Sequence, residues 1–349
     1  MLKIGMIGAG TIAQIHLDAY EKCKDVKVAA IADLNETLAK EQAQKYQIGN
    51  VYRDYHEMLK AEEIDAVNVA TPLFTHAQIV QDALRAGKHV LCEKPPCLTA
   101  REAEECIRVA EECGKLLMWG FVCRFRKEIR FLKEYVDAGK MGKIYYAEAS
   151  RIMRCQKSSG WFLDKSKAGG GALFDGAIHE LDELLYLMGY PKAKVVSGFT
   201  TDCNKELPEK MKSASPGWKS ADTGHYERTI ESMASGHILF ENGACLYVKA
   251  AYSLYSVSEG TYIEMSGERA GARMEGEKLS LLSNCNDYFL ESRPVLKERA
   301  DLFAEEMQHF IDCCLHKAEC ICEAWQGVEL IRIVEAIYRS AESGMPVIL

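Results

Sequence analysis

The sequence predicts a doubly wound parallel α/β domain followed by an α+β domain with a large, mostly antiparallel open sheet. Three observations carry that expectation. Up to about residue 122, short apolar runs alternate with segments of helical period. Beyond it, alternating apolar runs follow one another with few helices between them. The length of 349 residues also exceeds what one ordinary core serves. The expected domains are 1–122 and 123–349.

In the first domain, Lys3–Ile7 reads as a strand, Thr11–Cys23 as a helix and Val26–Ala32 as a second strand. Glu36–Tyr46 and Asp54–Leu59 are helical, and Ala66–Ala70 is a strand that ends at Thr71-Pro72. His76–Ala86 is a helix stopped by Gly87, and His89–Cys92 is the fourth strand. Thr99–Cys113 is a helix opened by a capping box of Thr99 and Glu102, and Leu116–Trp119 is a further strand. Strands separated by helices of this length imply right-handed crossovers and a parallel sheet.

In the second domain, Phe125–Asp137 is a helix, Ile144–Arg151 a strand, and Ala172–Leu187 a helix after a glycine-rich turn. The runs Val195–Thr200, Glu231–Phe240, Ala244–Tyr252 and Tyr262–Ser266 are strands joined by turn signals, which suits an antiparallel or mixed sheet. Two helices, Arg299–Leu315 and Ala324–Ser343, close the chain. Residues 203–224 are polar, with Pro208 and Pro216, and are expected to form a mobile loop.

Composition narrows the function classes. Apolar residues make up 48% and charged residues 27%, the balance of a soluble globular protein. The net charge of −8 comes without a basic run, so no nucleic-acid partner is expected. The start of the chain lacks a signal-peptide pattern, and there is no apolar stretch long enough to span a bilayer. The 14 cysteines are scattered, and they read as small buried hydrophobes of a reducing compartment, hence a cytoplasmic location. Cys313-Cys314 and Cys320-x-Cys322 come nearest to a cluster, without the paired spacing of a structural zinc site, so no metal is expected.

Gly8-Ala9-Gly10-Thr11-Ile12-Ala13 is G-x-G-x-x-A directly between a strand and a helix. Gly8 permits the turn, Gly10 lets the backbone approach a pyrophosphate, and Ala13 allows close packing. The helix N-terminus, from Thr11 and Ile12 onward, offers free N–H groups to phosphate. Asp33 ends the second strand, where a dinucleotide's adenosine ribose should lie. Its carboxylate favours NAD over NADP, because it repels a 2′-phosphate and the following Leu34 and Asn35 carry no positive charge. This is a Rossmann dinucleotide domain by pattern.

Two further constellations carry chemistry. Glu93-Lys94-Pro95-Pro96 lies at the carboxyl end of a strand, the edge where ligands bind in open α/β sheets; Thr71, Pro72 and His76 share that edge. Gly169-Gly170-Gly171 leads into a helix on which Asp175 and His179, four apart, share a face, with Asp182 three further on. An imidazole with a carboxylate beside it is what a general base for an alcohol proton requires.

Together, these motifs resemble the Gfo/Idh/MocA oxidoreductases, which include inositol and glucose dehydrogenases and glucose–fructose oxidoreductase. Gly120–Arg126, Trp161-Phe162, Phe240–Ala244 and Ser340–Gly344 add to the likeness along the whole chain. The resemblance implies NAD-dependent transfer of hydride from a secondary alcohol of a sugar, inositol or glycoside to C4 of the nicotinamide. It implies that Lys94 hydrogen-bonds the reacting hydroxyl, His179 takes its proton and Asp175 binds substrate. It makes Gly8, Gly10, Thr11, Ile12, Ala13, Asp33, Leu34, Thr71, Pro72, His76, Glu93 and Lys94 cofactor contacts. Arg124, Arg151 and Trp161 become substrate contacts beside Lys94, Asp175 and His179. Some relatives have tyrosine where His179 stands, so His179 favours the inositol-dehydrogenase-like arrangement. Pro96-Cys97 and residues 203–224 depart from the pattern.

Two other readings stay open. One is an NAD-dependent redox-neutral glycosidase acting by oxidation and elimination, with Tyr252 or His237 as a second acid or base, or a sugar-ring oxidase that serves a partner enzyme. The other is a sensor, which the intact Lys94, Asp175 and His179 disfavour. The second-domain sheet is expected to form a homodimer or homotetramer.

Overall fold

The computed structural model describes residues 1–61, 63–155, 158–202, 224–296 and 301–349. The expected mobile loop falls, apart from residue 224, outside the described residues, as do the first residues of the expected helix from Arg299. The chain divides into two compact units: Met1–Phe125 with Ala300–Val328, and Arg126–Arg299 with Glu329–Leu349.

The first unit carries a six-stranded sheet of β1 (Leu2–Ile7), β2 (Val26–Ala32), β3 (Asn50–Tyr52), β4 (Ala66–Val69), β5 (His89–Glu93) and β6 (Leu117–Gly120). All pairs are parallel, in the order β3-β2-β1-β4-β5-β6. The order reverses between β1 and β4, and that switch point opens a crevice at the carboxyl edge. Register brings Ile7 opposite both Ala32 and Val69, and Cys92 opposite Val69. The loops after β1, β2, β4 and β5 therefore leave the sheet at one edge.

The helices between these strands are α1 (Thr11–Tyr20), α2 (Glu36–Lys45), α3 (Tyr55–Ala61), α4 (His76–Arg85) and α5 (Ala100–Cys113). On α5 the Thr99–Glu102 capping box is formed and Gly114 ends the helix at φ 60°. Both features were legible as local chemistry. The three-residue β3 was not, because only its pairing with β2 distinguishes it from a turn.

The second unit carries α6 (Lys127–Asp137), β7 (Ile144–Ile152), the short α7 (Lys165–Ala168), α8 (Ile178–Leu187), β8 (Ala193–Thr201), β9 (Met233–Phe240) and β10 (Cys245–Ala251). It continues with β11 (Gly260–Gly267), β12 (Ala270–Glu275), β13 (Lys278–Cys285), β14 (Tyr288–Ser292) and β15 (Val347–Ile348). The sheet order is β14-β13-β12-β11-β7-β10-β9-β8-β15. Every pair is antiparallel except β7 with β10, so the sheet is mixed, as expected. The strands from β12 to β14 were missed: glycine and arginine interrupt β12, the apolar part of β13 is short, and β14 buries neither face.

Two long helices stand near the end of the chain. The first, α9 (Leu302–Cys314), belongs to the first unit, and the second, α10 (Ala324–Ser343), begins there. The expected division at 122/123 placed both in the second domain. Their contacts with the first unit are long-range: Asn68 Nδ2 lies 3.4 Å from Met307 Sδ, the Lys24 amide donates to Gln308 Oε1 at 2.8 Å, and Trp119 Nε1 donates to the Ala324 carbonyl at 2.8 Å.

The expected helix Ala172–Leu187 is two pieces: a π-helical turn over Ala172–Ala177, then α8. Likewise the expected Phe125–Asp137 helix begins only at Lys127, after a 3-10 turn over Val122–Phe125. Alternation along β9 buries Ala234, Gly236 and Ile238 on one face and turns Ser235, His237 and Leu239 to the other.

Candidate active site

The dinucleotide loop is built from the backbone outward. Gly8 has φ 104°, and a Cβ there would stand 2.4 Å from the Ala70 carbonyl oxygen, so the end of β4 itself demands glycine. Gly10 differs: its backbone is extended, and a Cβ would meet nothing within 4 Å. The protein gives no packing reason for glycine at this point, whereas a close approach by phosphate does. Gly10 caps α1 without a side-chain hydrogen bond, and no acidic residue occupies the first turn. The amides of Thr11, Ile12 and Ala13 thus open a helix N-terminus suited to an anion, and the residues fit a pyrophosphate.

Asp33 straddles two turns. One oxygen accepts the Ala9 amide at 2.7 Å and the other the Asn35 amide at 2.7 Å. Each carboxylate oxygen keeps a lone pair for a ribose hydroxyl. Leu34 beside it is 82% exposed, an apolar surface with nothing of its own to cover.

At the β4 and β5 ends the structure reassigns two expected cofactor contacts. His76 is buried, with Nδ1 at 3.0 Å from the Pro95 carbonyl and Nε2 at 2.9 Å from the Thr71 carbonyl. It lies between the Thr71-Pro72 turn and the Lys94-Pro95 turn, and as a neutral ring it donates from one nitrogen to one of these two carbonyls. Burial holds its pKa below the usual histidine range, against those carbonyls. Thr71 Oγ1 in turn lies 2.8 Å from Thr75 Oγ1.

Glu93 also points inward. Its Oε1 lies 2.8 Å from His16 Nε2 and its Oε2 accepts the Lys94 amide at 3.0 Å. His16 Nδ1 lies 3.1 Å from Asn68 Oδ1, and Asn68 Nδ2 donates to Tyr20 Oη at 3.0 Å. Glu306, on α9, completes this buried group, and neither of its oxygens has a hydrogen-bond partner among the described residues. Burial first, then the charge of Glu93, pushes its carboxyl well above the ordinary range. The backbone of Lys94 is therefore anchored from below by Glu93.

Arg124, an expected substrate contact, is fully buried. It donates to the Ile321 carbonyl at 2.6 Å, bonds Gln326 Oε1, and lies over the Phe121 ring at 4.6 Å. It is a structural arginine of the first unit.

In the second unit the glycine run accommodates the protein's own side chains. A Cβ on Gly170 would stand 2.0 Å from Tyr338 Oη, and one on Gly171 2.1 Å from the Glu231 carbonyl oxygen. The Glu231 carboxylate accepts the Gly171 amide at 2.7 Å, the Leu173 amide at 3.1 Å and the Tyr338 hydroxyl at 3.0 Å. It closes the start of the π-helical turn from within.

That turn and α8 are buried throughout residues 171–185 except at Asp175 and His179, which are half-buried. Asp175 Oδ2 accepts the Tyr252 hydroxyl at 2.6 Å, and burial with the Asp175 charge pushes that phenol well above its ordinary range. Tyr252 therefore acts here as a fixed donor, and His237 stacks on Tyr247 at 4.2 Å on the other face of the sheet. Asp182 is buried and accepts the Tyr190 hydroxyl at 2.6 Å, a structural pairing. Arg151 Nη1 donates to the buried Glu180 at 3.0 Å, so part of its charge is already committed. Trp161 stacks on Phe162 with ring centroids 3.9 Å apart.

His16, Asn68, Glu231, Glu306, Tyr338 and the donor role of Tyr252 toward Asp175 were not foreseen from the sequence. No local signal marks them, since each acts through a residue far away in the chain.

A parallel sheet with a glycine turn at its switch point and a lysine at its carboxyl edge is the fold of an NAD-binding oxidoreductase. The chain belongs to the Gfo/Idh/MocA oxidoreductase family: residues 2–121 match the family's NAD-binding Rossmann fold and residues 133–349 its C-terminal alpha/beta domain. It is 32% identical to D-glucoside 3-dehydrogenase of Escherichia coli over 348 residues, 98% of this chain and 96% of the relative. It is 25% identical to inositol 2-dehydrogenase of Rhizobium meliloti over 97% of this chain and 96% of the relative. Among solved structures, aldose-aldose oxidoreductase from Caulobacter crescentus shares the fold with a TM-score of 0.84, 23% identity and coverage of 100% and 99% of the two chains. Levoglucosan dehydrogenase in complex with NADH and levoglucosan gives 0.85, 22%, 99% and 99%. Among the described residues no helix is long and apolar enough to cross a membrane.

Proposed function

We propose that this protein oxidises a secondary ring hydroxyl of a sugar, most suitably a glycoside, with NAD as acceptor. The observation that carries the reading is the isolated partial exposure of Asp175 and His179 on an otherwise buried stretch. A buried stretch, residues 171–185, whose partly exposed side chains are a carboxylate and an imidazole is equipped to bind and deprotonate an alcohol.

The bound nicotinamide supplies the acceptor for the carbinol hydrogen. His179 takes the hydroxyl proton. Asp175, oriented by the Tyr252 hydroxyl, binds a neighbouring hydroxyl of the substrate. Lys94, its backbone held by Glu93, stabilises developing negative charge on the reacting oxygen. Asp33 accepts from the ribose hydroxyls and selects NAD over NADP. The relation to a D-glucoside 3-dehydrogenase over nearly the whole chain supports a pyranoside ring over a free inositol.

The test is absorbance at 340 nm with NAD and a panel of glucosides, free hexoses and inositols, with aglycone release followed in parallel. Lasting NADH formation from glucosides, abolished in Lys94→Ala and His179→Ala, supports the reading. Aglycone release without lasting NADH would replace it with a redox-neutral glycosidase. A lower Kd for NADP than for NAD would overturn the role given to Asp33. We also propose self-association through the outward sheet face, where Phe199, Leu239 and Tyr247 are exposed. A monomer in light scattering would contradict that.

A further inference from the structure

We propose that His309, Cys313 and Cys320 form a binding site for a soft divalent cation of the zinc type, apart from the cofactor loop and from the Asp175–His179 pair. One donor atom from each of the three lies within 4.8 Å of the other two. His309 and Cys313 are one helical turn apart on α9, so they share a face. The helix stops at Cys314, the chain reverses through His316 at φ 55°, and the returning segment brings Cys320 back to that face. Sequence spacing hid the set, since H-x-x-x-C followed by a cysteine seven residues on matches no paired zinc motif.

The distances suit the ion. Zinc bonds of about 2.3 Å to sulfur and about 2.0–2.1 Å to nitrogen put tetrahedral sulfur and nitrogen ligands roughly 3.6 Å apart. Cys313 Sγ lies 3.4 Å from His309 Nε2. The ring is also in the tautomer a cation needs. The Ile321 amide donates to His309 Nε2 at 3.1 Å, which leaves the ring hydrogen on Nδ1 and the lone pair on the nitrogen beside the sulfurs. On binding, the ion would take that lone pair from the amide.

Cys313 is buried, while Cys320 is partly exposed and gives the ion a way in. The Cys320 sulfur lies within 4.8 Å of the other two donor atoms and can close the set, its proton displaced as the ion binds. Thiolate and imidazole ligands select zinc or cobalt and reject magnesium and calcium. A Cys313–Cys320 disulfide is the competing fate of the two sulfurs, and it would leave His309 Nε2 accepting only the Ile321 amide. The site stands whether or not the substrate proposed above is correct.

The experiment uses the full-length protein, reduced, stripped with a chelator and titrated with Co²⁺ alone. The expected result is a thiolate-to-cobalt band in the near ultraviolet and tetrahedral bands in the red, saturating at one equivalent and bleached by Zn²⁺. Cys320→Ser should weaken cobalt binding by more than the ~10–100-fold typical of residues that only support a ligand. Cys285→Ser, at an exposed cysteine, should leave it unchanged. NAD affinity and the thermal melt report whether each variant is folded. Absence of the thiolate band in reduced wild type, or equal titrations of wild type and Cys320→Ser, would overturn the site. So would a Cys313–Cys320 disulfide mapped after oxidation in a protein that takes up no cobalt when reduced.

Discussion

Replacing Gly10 with alanine should separate cofactor binding from stability. The added methyl meets nothing within 4 Å, and the backbone at φ −71° and ψ −169° is extended. Alanine there narrows the unfolded ensemble, so the nucleotide-free protein should unfold with a free energy unchanged or raised by about 0.4–1 kcal/mol. The same methyl stands where phosphate must approach the amides that open α1. Hydrogen bonds to a charged group contribute about 1.5–3 kcal/mol each, so one lost bond raises the NAD Kd by roughly 10–150-fold. Urea unfolding without nucleotide and calorimetric titration with NAD read the two quantities independently. An unchanged Kd, or a nucleotide-free protein destabilised by more than about 1 kcal/mol, would refute the assignment of the open space to phosphate.

Gly171→Ala should do the opposite: its methyl would meet the Glu231 carbonyl oxygen at 2.1 Å, and a loss of about 1–3 kcal/mol or more is expected in the same unfolding assay, with a wild-type curve counting against the packing described. Tyr252→Phe removes the 2.6 Å donor to Asp175 and should lower kcat/KM for the sugar by about 10–100-fold while leaving the NAD Kd alone. Glu183 is fully buried, and desolvation raises its carboxyl to about 8 despite Arg126 Nη1 at 3.3 Å. The folded state then keeps a proton that the unfolded chain has released, so this group lowers stability as pH rises from about 4.5 to 8. Glu183→Gln removes the slope, and its advantage over wild type should grow across that window by up to about 5 kcal/mol; urea curves that stay parallel from pH 5 to 8 would contradict it.

The fold of the dinucleotide loop was legible because its signal is local. A strand, two glycines and a helix start are contiguous, and Asp33 follows at a fixed distance, so Gly8, Gly10 and Asp33 fall at the carboxyl edge as expected. The Glu-Lys-Pro turn was legible for the same reason, but the direction of its glutamate was not. Glu93 turns inward because His16 and Glu306 stand there, and Glu306 lies on a helix more than two hundred residues away. Arg124 and Asp182 misled by residue type: their partners, Ile321 and Gln326 for the first and Tyr190 for the second, leave no mark in the local sequence. The π-helical turn under Asp175 is likewise a product of tertiary packing, since Glu231 and Tyr338 close its start.

The return of α9 to the first unit has a consequence for how such a protein can be taken apart. Residues 1–125 read as a transferable nucleotide-binding module, yet without α9 His16 would lose the Phe303 ring at 5.6 Å, Asn68 would lose Met307, and Lys24 would lose Gln308. Cutting at the apparent border strips an apolar helix from the fragment and bares the surface it covered. The module is discontinuous in the gene, so recombination that shuffles contiguous segments must carry both ends of the chain together or deliver a fragment prone to aggregate.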